Sequence, residues 1–138
     1  MAGYSGKPLV AKLGIKPGST IAILGAPRGY DRLLGRLPEV RRRTPATGRL
    51  DFVQFFTTEK HELERRFATL ARSLTPAGML WISWPKKASG VPTDLTEDRV
   101  REIGLEAGLV DNKVCAVDET WSGLRFVFRL KDRPVAQG

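Results

Sequence analysis

The chain has 138 residues, 41% of them hydrophobic, with 23 Lys or Arg against 15 Asp or Glu, a formal charge of +8 and a pI near 10.2. That length buries about two-thirds of its unfolded surface around one core, so a single domain over 1–138 is expected, with 132–138 a fraying tail. The longest nearly apolar run, Ala77 to Pro85, falls far short of the roughly 20 residues that span a bilayer, the opening MAGYSGKPLVAKLG has no apolar signal core, and one cysteine excludes an intrachain disulfide; a reducing cytoplasm and no membrane partner fit these features.

A short helical piece is predicted over Pro8 to Leu13, and the turn Lys16-Pro17-Gly18 leads into a buried strand, Ser19 to Leu24. The loop GAPRGYD follows, then one or two helical turns over Asp31 to Leu37 and a short strand over Val40 to Arg43. DFVQFFT, Asp51 to Thr57, is aromatic and β-branched enough to be a second buried strand. Leu63, Phe67, Leu70 and Leu74 recur at helical spacing, which predicts a helix from Thr58 or Glu59 to Leu74, capped by Thr57 or Thr58 and stopped by Pro76 and Gly78. Met79 to Trp84 is then a third strand.

Thr96, or Asp94 with Glu97 as a capping box, opens a helix with Val100, Ile103, Leu105 and Leu109 on its apolar side and Gly108 at its end. Lys113 to Glu119 and Leu124 to Leu130 form an antiparallel pair across the Thr120 to Gly123 link. Strands alternating with helices and reading as continuous apolar runs predict an α/β, Rossmann-like, mostly parallel sheet with a C-terminal antiparallel hairpin. In such sheets ligands bind outside the carboxyl ends of the parallel strands, which gathers GAPRGY, FFTTEK and WPKKASG at one rim.

Taken in this order, LGIKPGSTIAILGAPRGY, LDFVQFF, LARSLTPAGMLWISWP and the stretch from LTEDRV to RFVFRL resemble the class I S-adenosylmethionine-dependent methyltransferases. SGKPLVAKLGIKPG, WPKKASGV with DLTE, and CAVDETWSGL resemble more closely a family of small bacterial proteins of unknown function. The resemblance covers most of the chain and implies a shortened methyltransferase-like fold, not an activity. The methyltransferase loop D/E-x-G-x-G-x-G is reduced to GAPRG, in which Pro27 and Arg28 stand between Gly25 and Gly29, and the preceding acid is absent. About 20 residues separate Tyr30 from Leu50, too few for the usual remainder of the first half. The acid that holds the cofactor ribose and the Asn-Pro-Pro-Tyr motif of amino-group methyltransferases have no counterpart. The expectation is a truncated domain that has lost S-adenosylmethionine and needs no cofactor.

The leading reading is therefore a non-catalytic module for an anionic small molecule or an acidic group of a partner protein. Lys86 and Lys87 stand just past the third strand, Ser89 and Gly90 can turn backbone amides toward a ligand, and Arg28 between Gly25 and Gly29 suits a bidentate oxyanion contact. Solvated lysines and an exposed Arg28 next to Asp31 are the bland alternative. Nucleic acid is a second candidate partner. Seven arginines lie between Arg28 and Arg49 against Asp31 and Glu39, so +5 of the +8 falls in 22 residues, with Arg41, Arg42 and Arg43 its densest point. A divergent methyltransferase is the third reading. Trp81 is expected in the core, while Trp84 and Trp121 either pack or wall a pocket; Asp118 or Glu119 can pair with Lys86 or Lys87. His61 in KHELERR reads as exposed, Cys115 as packing, and no Cys/His spacing predicts zinc.

Overall fold

The computed structural model describes residues 7–43 and 48–133. Six strands form one sheet: β1 (Thr20–Leu24), β2 (Arg41–Arg42), β3 (Leu50–Phe56), β4 (Leu74–Pro85), β5 (Leu109–Ala116) and β6 (Trp121–Phe128), in the order β2-β1-β3-β4-β6-β5. The first four are mutually parallel, and β6 runs antiparallel to both β4 and β5. The mostly parallel α/β sheet with a closing antiparallel hairpin is thus the observed architecture. Helices α1 (Leu9–Leu13), α2 (Tyr30–Leu34), α3 (Lys60–Arg72) and α4 (Glu97–Glu106) complete the order.

Side-chain alternation divides the core into two layers. Val53, Phe55, Leu80, Ile82, Trp84 and Phe126 turn to the face covered by Leu63, Phe67 and Leu70 of α3 and Val100 and Ile103 of α4. Ile21, Ile23, Phe52, Phe56 and Trp81 turn to the other, with Leu13, Tyr30 and Leu34. Because both faces are covered, β3 reads as an almost unbroken apolar run. Each fully buried Phe or Leu contributes about 1.5–3 kcal/mol.

Several boundaries move for physical reasons. α3 ends at Arg72 and β4 begins at Leu74, five residues earlier than the apolar run suggested, so Pro76 and Gly78 lie inside the strand. The register jumps there from Leu50↔Leu74 to Phe52↔Met79, a bulge that accommodates the proline. Gly78 is required at that point, since a Cβ would sit 2.8 Å from the Leu50 carbonyl oxygen. Thr57 helps open α3, accepting from the Glu59 amide at 3.2 Å, but the Lys60 amide donates to Asp94 Oδ1 at 2.8 Å. That carboxylate therefore serves α3, leaving Thr96 as the cap of α4, where its hydroxyl accepts from the Arg99 amide at 3.2 Å. Leu105 is 40% exposed, and Leu109 is the first residue of β5, so α4 presents only Val100, Ile103 and Gly104 to the core.

α1 is too short to hold itself together. Two of its carbonyls are met from far along the chain: Trp81 Nε1 donates to Leu13 O at 2.8 Å and Lys113 Nζ to Lys12 O at 2.7 Å. The expected strand over Val40 to Arg43 exists as the two-residue β2, parallel to β1 at the open edge. The loop over 44–47 and the tail over 134–138 lie outside the described residues, while Leu130–Asp132 make a 3-10 turn. No helix among the described residues is long and apolar enough to cross a membrane.

Candidate functional site at the carboxyl rim

Parallel pairing of β1, β3 and β4 puts Gly25–Gly29, Thr57 and Lys86–Gly90 at one rim, as the element order predicted. The chain crosses over in opposite directions from β1 and from β3, so the topological switch lies between them. There the backbones are in contact: Gly25 has φ +71, and a Cβ on it would lie 2.6 Å from Phe56 O. This glycine is explained by the joint between two strands. Gly29 has φ +85 as the residue entering α2, with open space where its Cβ would be.

Past the joint, three rings form a wall. Tyr30 packs edge-on against Phe56 with centroids 4.7 Å apart, and Phe56 against Trp121 at 5.1 Å. The Tyr30 hydroxyl donates to Gln54 Oε1, and Gln54 Nε2 donates to Ser83 Oγ at 3.1 Å, so a buried polar ladder crosses from α2 over β3 to β4. Burial pushes the Tyr30 hydroxyl above its ordinary range, which keeps it a neutral donor. Against this wall opens a crevice of about 300 Å³ lined by Pro27, Arg28, Gly29, Tyr30, Leu33, Asp118, Thr120 and Trp121. Small-ligand sites begin at roughly this size.

The hairpin link closes the crevice. Asp118 Oδ1 accepts from the amides of Thr120 at 2.8 Å and Trp121 at 2.7 Å, a local turn that fixes its carboxylate. Arg28 is exposed and has no carboxylate partner among the described residues, because Asp31 pairs with Arg42 at 2.9 Å instead.

Lys86 is committed elsewhere. Its Nζ donates to the Asp118 carbonyl at 2.8 Å and its amide to Thr120 O at 2.7 Å, so it clamps the link by a carbonyl and not through the expected ion pair. Ser89 is also turned inward: its amide and hydroxyl both donate to Lys86 O, at 3.0 and 2.7 Å, and the hydroxyl accepts from the Val91 amide at 3.2 Å. Gly90 has a positive φ, +77, but its amide donates to Lys87 O at 3.3 Å, within the turn. Two backbone donors anticipated for an anion are therefore used by the loop itself. Lys87 is exposed on the rim, and Arg41, Arg42 and Arg43 are exposed at the far edge.

Trp81 and Trp84 are core residues, whereas Trp121 is half-buried and lines the crevice. His61 is exposed; Cys115 is buried, and burial pushes its thiol up. No metal-ligand cluster occurs among the described residues. Sequence reasoning did not bring Asp118 and Thr120 to Arg28. Their local signal was a turn, and only hairpin pairing carries that turn across the rim.

No family model and no curated protein matches the sequence. Solved structures do match. A S-adenosylmethionine-dependent methyltransferase from Aquifex aeolicus is 18% identical with a TM-score of 0.60, over 86% of each chain. Magnesium protoporphyrin IX methyltransferase from Synechocystis PCC 6803, with bound S-adenosylhomocysteine, is 14% identical with a TM-score of 0.56, over 88% of this chain and 78% of that one. This chain has the fold of the class I S-adenosylmethionine-dependent methyltransferases. The ribosomal protein L11 methylase of Lactobacillus delbrueckii subsp. bulgaricus, 12% identical at a TM-score of 0.56 over 88% and 75% of the two chains, has it too.

Whether the residues here fit that family's cofactor is a separate matter. Gly25 serves strand packing, and α2 has five residues with its first ring filling the sheet face. The strand beside β1 carries Arg41 and Arg42, where an acid would be needed for the ribose. Among the described residues, the donor set that the methyltransferase loop and strand supply is not reproduced.

Proposed function

We propose that this chain is a non-catalytic binding module on a methyltransferase fold, taking an anionic small molecule or an acidic group of a partner in the crevice between GAPRG and the hairpin link. The observation that carries this reading is Arg28: a guanidinium with no carboxylate partner among the described residues, at the mouth of a walled crevice on the rim where α/β sheets hold ligands. The phosphate or carboxylate of the ligand lies at Arg28, its apolar body on Trp121 and Leu33, and a hydrogen-bond donor turned to Asp118. Lys87 adds positive charge along the rim, while Lys86 holds the link in place.

The second reading, a divergent methyltransferase, is favoured by the fold and by the extent of its likeness to solved methyltransferases. One thermal-shift series separates the two, with inorganic phosphate, AMP, citrate, S-adenosylmethionine and S-adenosylhomocysteine as probes. A probe that binds only the folded state raises the melting temperature as its concentration passes its Kd. The expected result is a shift with phosphate, AMP or citrate that disappears in Arg28→Ala and in Leu33→Trp, which fills the crevice. A shift confined to S-adenosylmethionine and S-adenosylhomocysteine carries the methyltransferase reading instead. Equal shifts in wild type and Arg28→Ala overturn the proposed site.

A further inference from the structure

The positive charge concentrated in 28–49 has a definite place in the fold. β2 is the outermost strand of the sheet, and the Arg42–Asp31 ion pair at 2.9 Å ties it to α2. The arginines of α2 and of the segment that follows are thereby brought beside those of the strand. Arg32, Arg36, Arg41 and Arg49 are all exposed. The amides of Arg41 and Arg43 donate to Ser19 O at 2.9 Å and Ile21 O at 2.8 Å, so the alternation of a parallel ladder turns the Arg42 amide outward. This edge thus offers guanidinium groups together with an outward backbone donor.

We propose that this edge, β2 with the outer side of α2, binds the sugar-phosphate backbone of a double-stranded nucleic acid without sequence preference. The residue chemistry selects this partner. All seven basic residues between Arg28 and Arg49 are arginine, whose planar fork matches phosphate oxygens in pairs. They are spread over α2, β2 and the segments beside them, more than one small anion can engage. The only tyrosine of the segment, Tyr30, is buried, so the edge provides no aromatic platform of the kind that single-strand binding uses. α4 carries Glu97, Asp98, Glu102 and Glu106 against Arg99 and Arg101, a net negative charge that makes it a poorer surface for a polyanion than the β2 edge.

The experiment is fluorescence anisotropy with labelled 20-base-pair DNA and RNA duplexes of scrambled sequence, the matching single strands, and vesicles containing phosphatidylserine. With about four phosphate contacts the salt slope is about −0.9 for each, and duplex affinity falls roughly 100-fold between 50 and 200 mM salt. Arg32→Ala/Arg36→Ala/Arg41→Ala lowers affinity at least 10-fold and flattens the slope. Lys60→Ala/Arg65→Ala/Lys131→Ala removes the same charge elsewhere and changes it less than twofold. Arg28 is left intact in both variants, so the outcome is independent of the crevice. Absence of duplex binding at 50 mM salt, equal loss in the two variants, or binding to vesicles alone overturns the proposal.

Discussion

Gly25 and Gly29 stand four residues apart in GAPRG, both at positive φ, +71 and +85, and the structure gives them unequal work. Replacing either by alanine forces an L side chain into the left-handed region, at about 1 kcal/mol each. At Gly29 nothing lies within 4 Å of the new Cβ, so that is the whole cost. At Gly25 the Cβ meets Phe56 O at 2.6 Å, and this is backbone of the last residue of β3, paired with Ser83 of β4, which cannot swing aside as a side chain does. Overpacking of that kind adds about 2 kcal/mol, giving about 3 kcal/mol for Gly25→Ala against about 1 for Gly29→Ala. For a chain of this size that is a fall in Tm of roughly 12 °C against roughly 4 °C. Urea unfolding followed by the fluorescence of the buried Trp81 and Trp84 measures both. Because the φ penalty cancels in the comparison, the difference isolates the β1–β3 joint. Equal destabilisation by the two substitutions refutes the claim that strand packing explains Gly25.

Gly104→Ala, at a helical position where alanine ordinarily gains about 1 kcal/mol, destabilises instead by about 2 kcal/mol in the same unfolding assay, because its Cβ falls 2.1 Å from the Phe126 ring; Phe126→Leu in the same chain relieves most of the loss. Tyr30→Phe removes the donor to Gln54 Oε1, which is buried, and costs about 1–3 kcal/mol while leaving the ring wall in place; a cost below 0.5 kcal/mol in denaturant titration contradicts the buried ladder. Cys115 resists a thiol reagent at pH 8 until the chain unfolds, because burial raises its pKa; the stability it contributes is complete below the ordinary thiol range and is lost as pH rises through the folded value, readable as a declining Tm in alkaline buffers.

The parts of the fold readable from the chain were those set by local periodicity. Leu63, Phe67 and Leu70 announced α3, and LDFVQFF announced a strand covered on both faces. What escaped was decided across distance. Pro76 and Gly78 are breakers by local rule, yet a bulge against Leu50 keeps them in β4. Asp94 reads as the cap of the helix that follows it, yet it caps one that begins 34 residues earlier. The same holds for the candidate site. Arg28 was legible as a rim residue, whereas Asp118, Thr120 and Trp121 join it only through the antiparallel return of β6 beside β4. Ser89 and Gly90 show the opposite case, since local hydrogen bonds within their turn use donors that the sequence alone left open.

The two side chains that meet the end of α1 impose an order in time on synthesis. Leu13 waits for Trp81, 68 residues later, and Lys12 for Lys113, 101 residues later. At roughly 5–20 residues per second the second wait lasts about 5–20 s, and the exit channel of the ribosome lengthens it. Until β4 is made, Leu9, Val10 and Leu13 lack the Trp81 part of the sheet face that they cover, and until β5 is made the Lys12 carbonyl lacks its lysine. An emerging chain of this kind presents a short apolar handle to whatever surveys nascent polypeptides, and withdraws it fully only when Trp81 of β4 has been made.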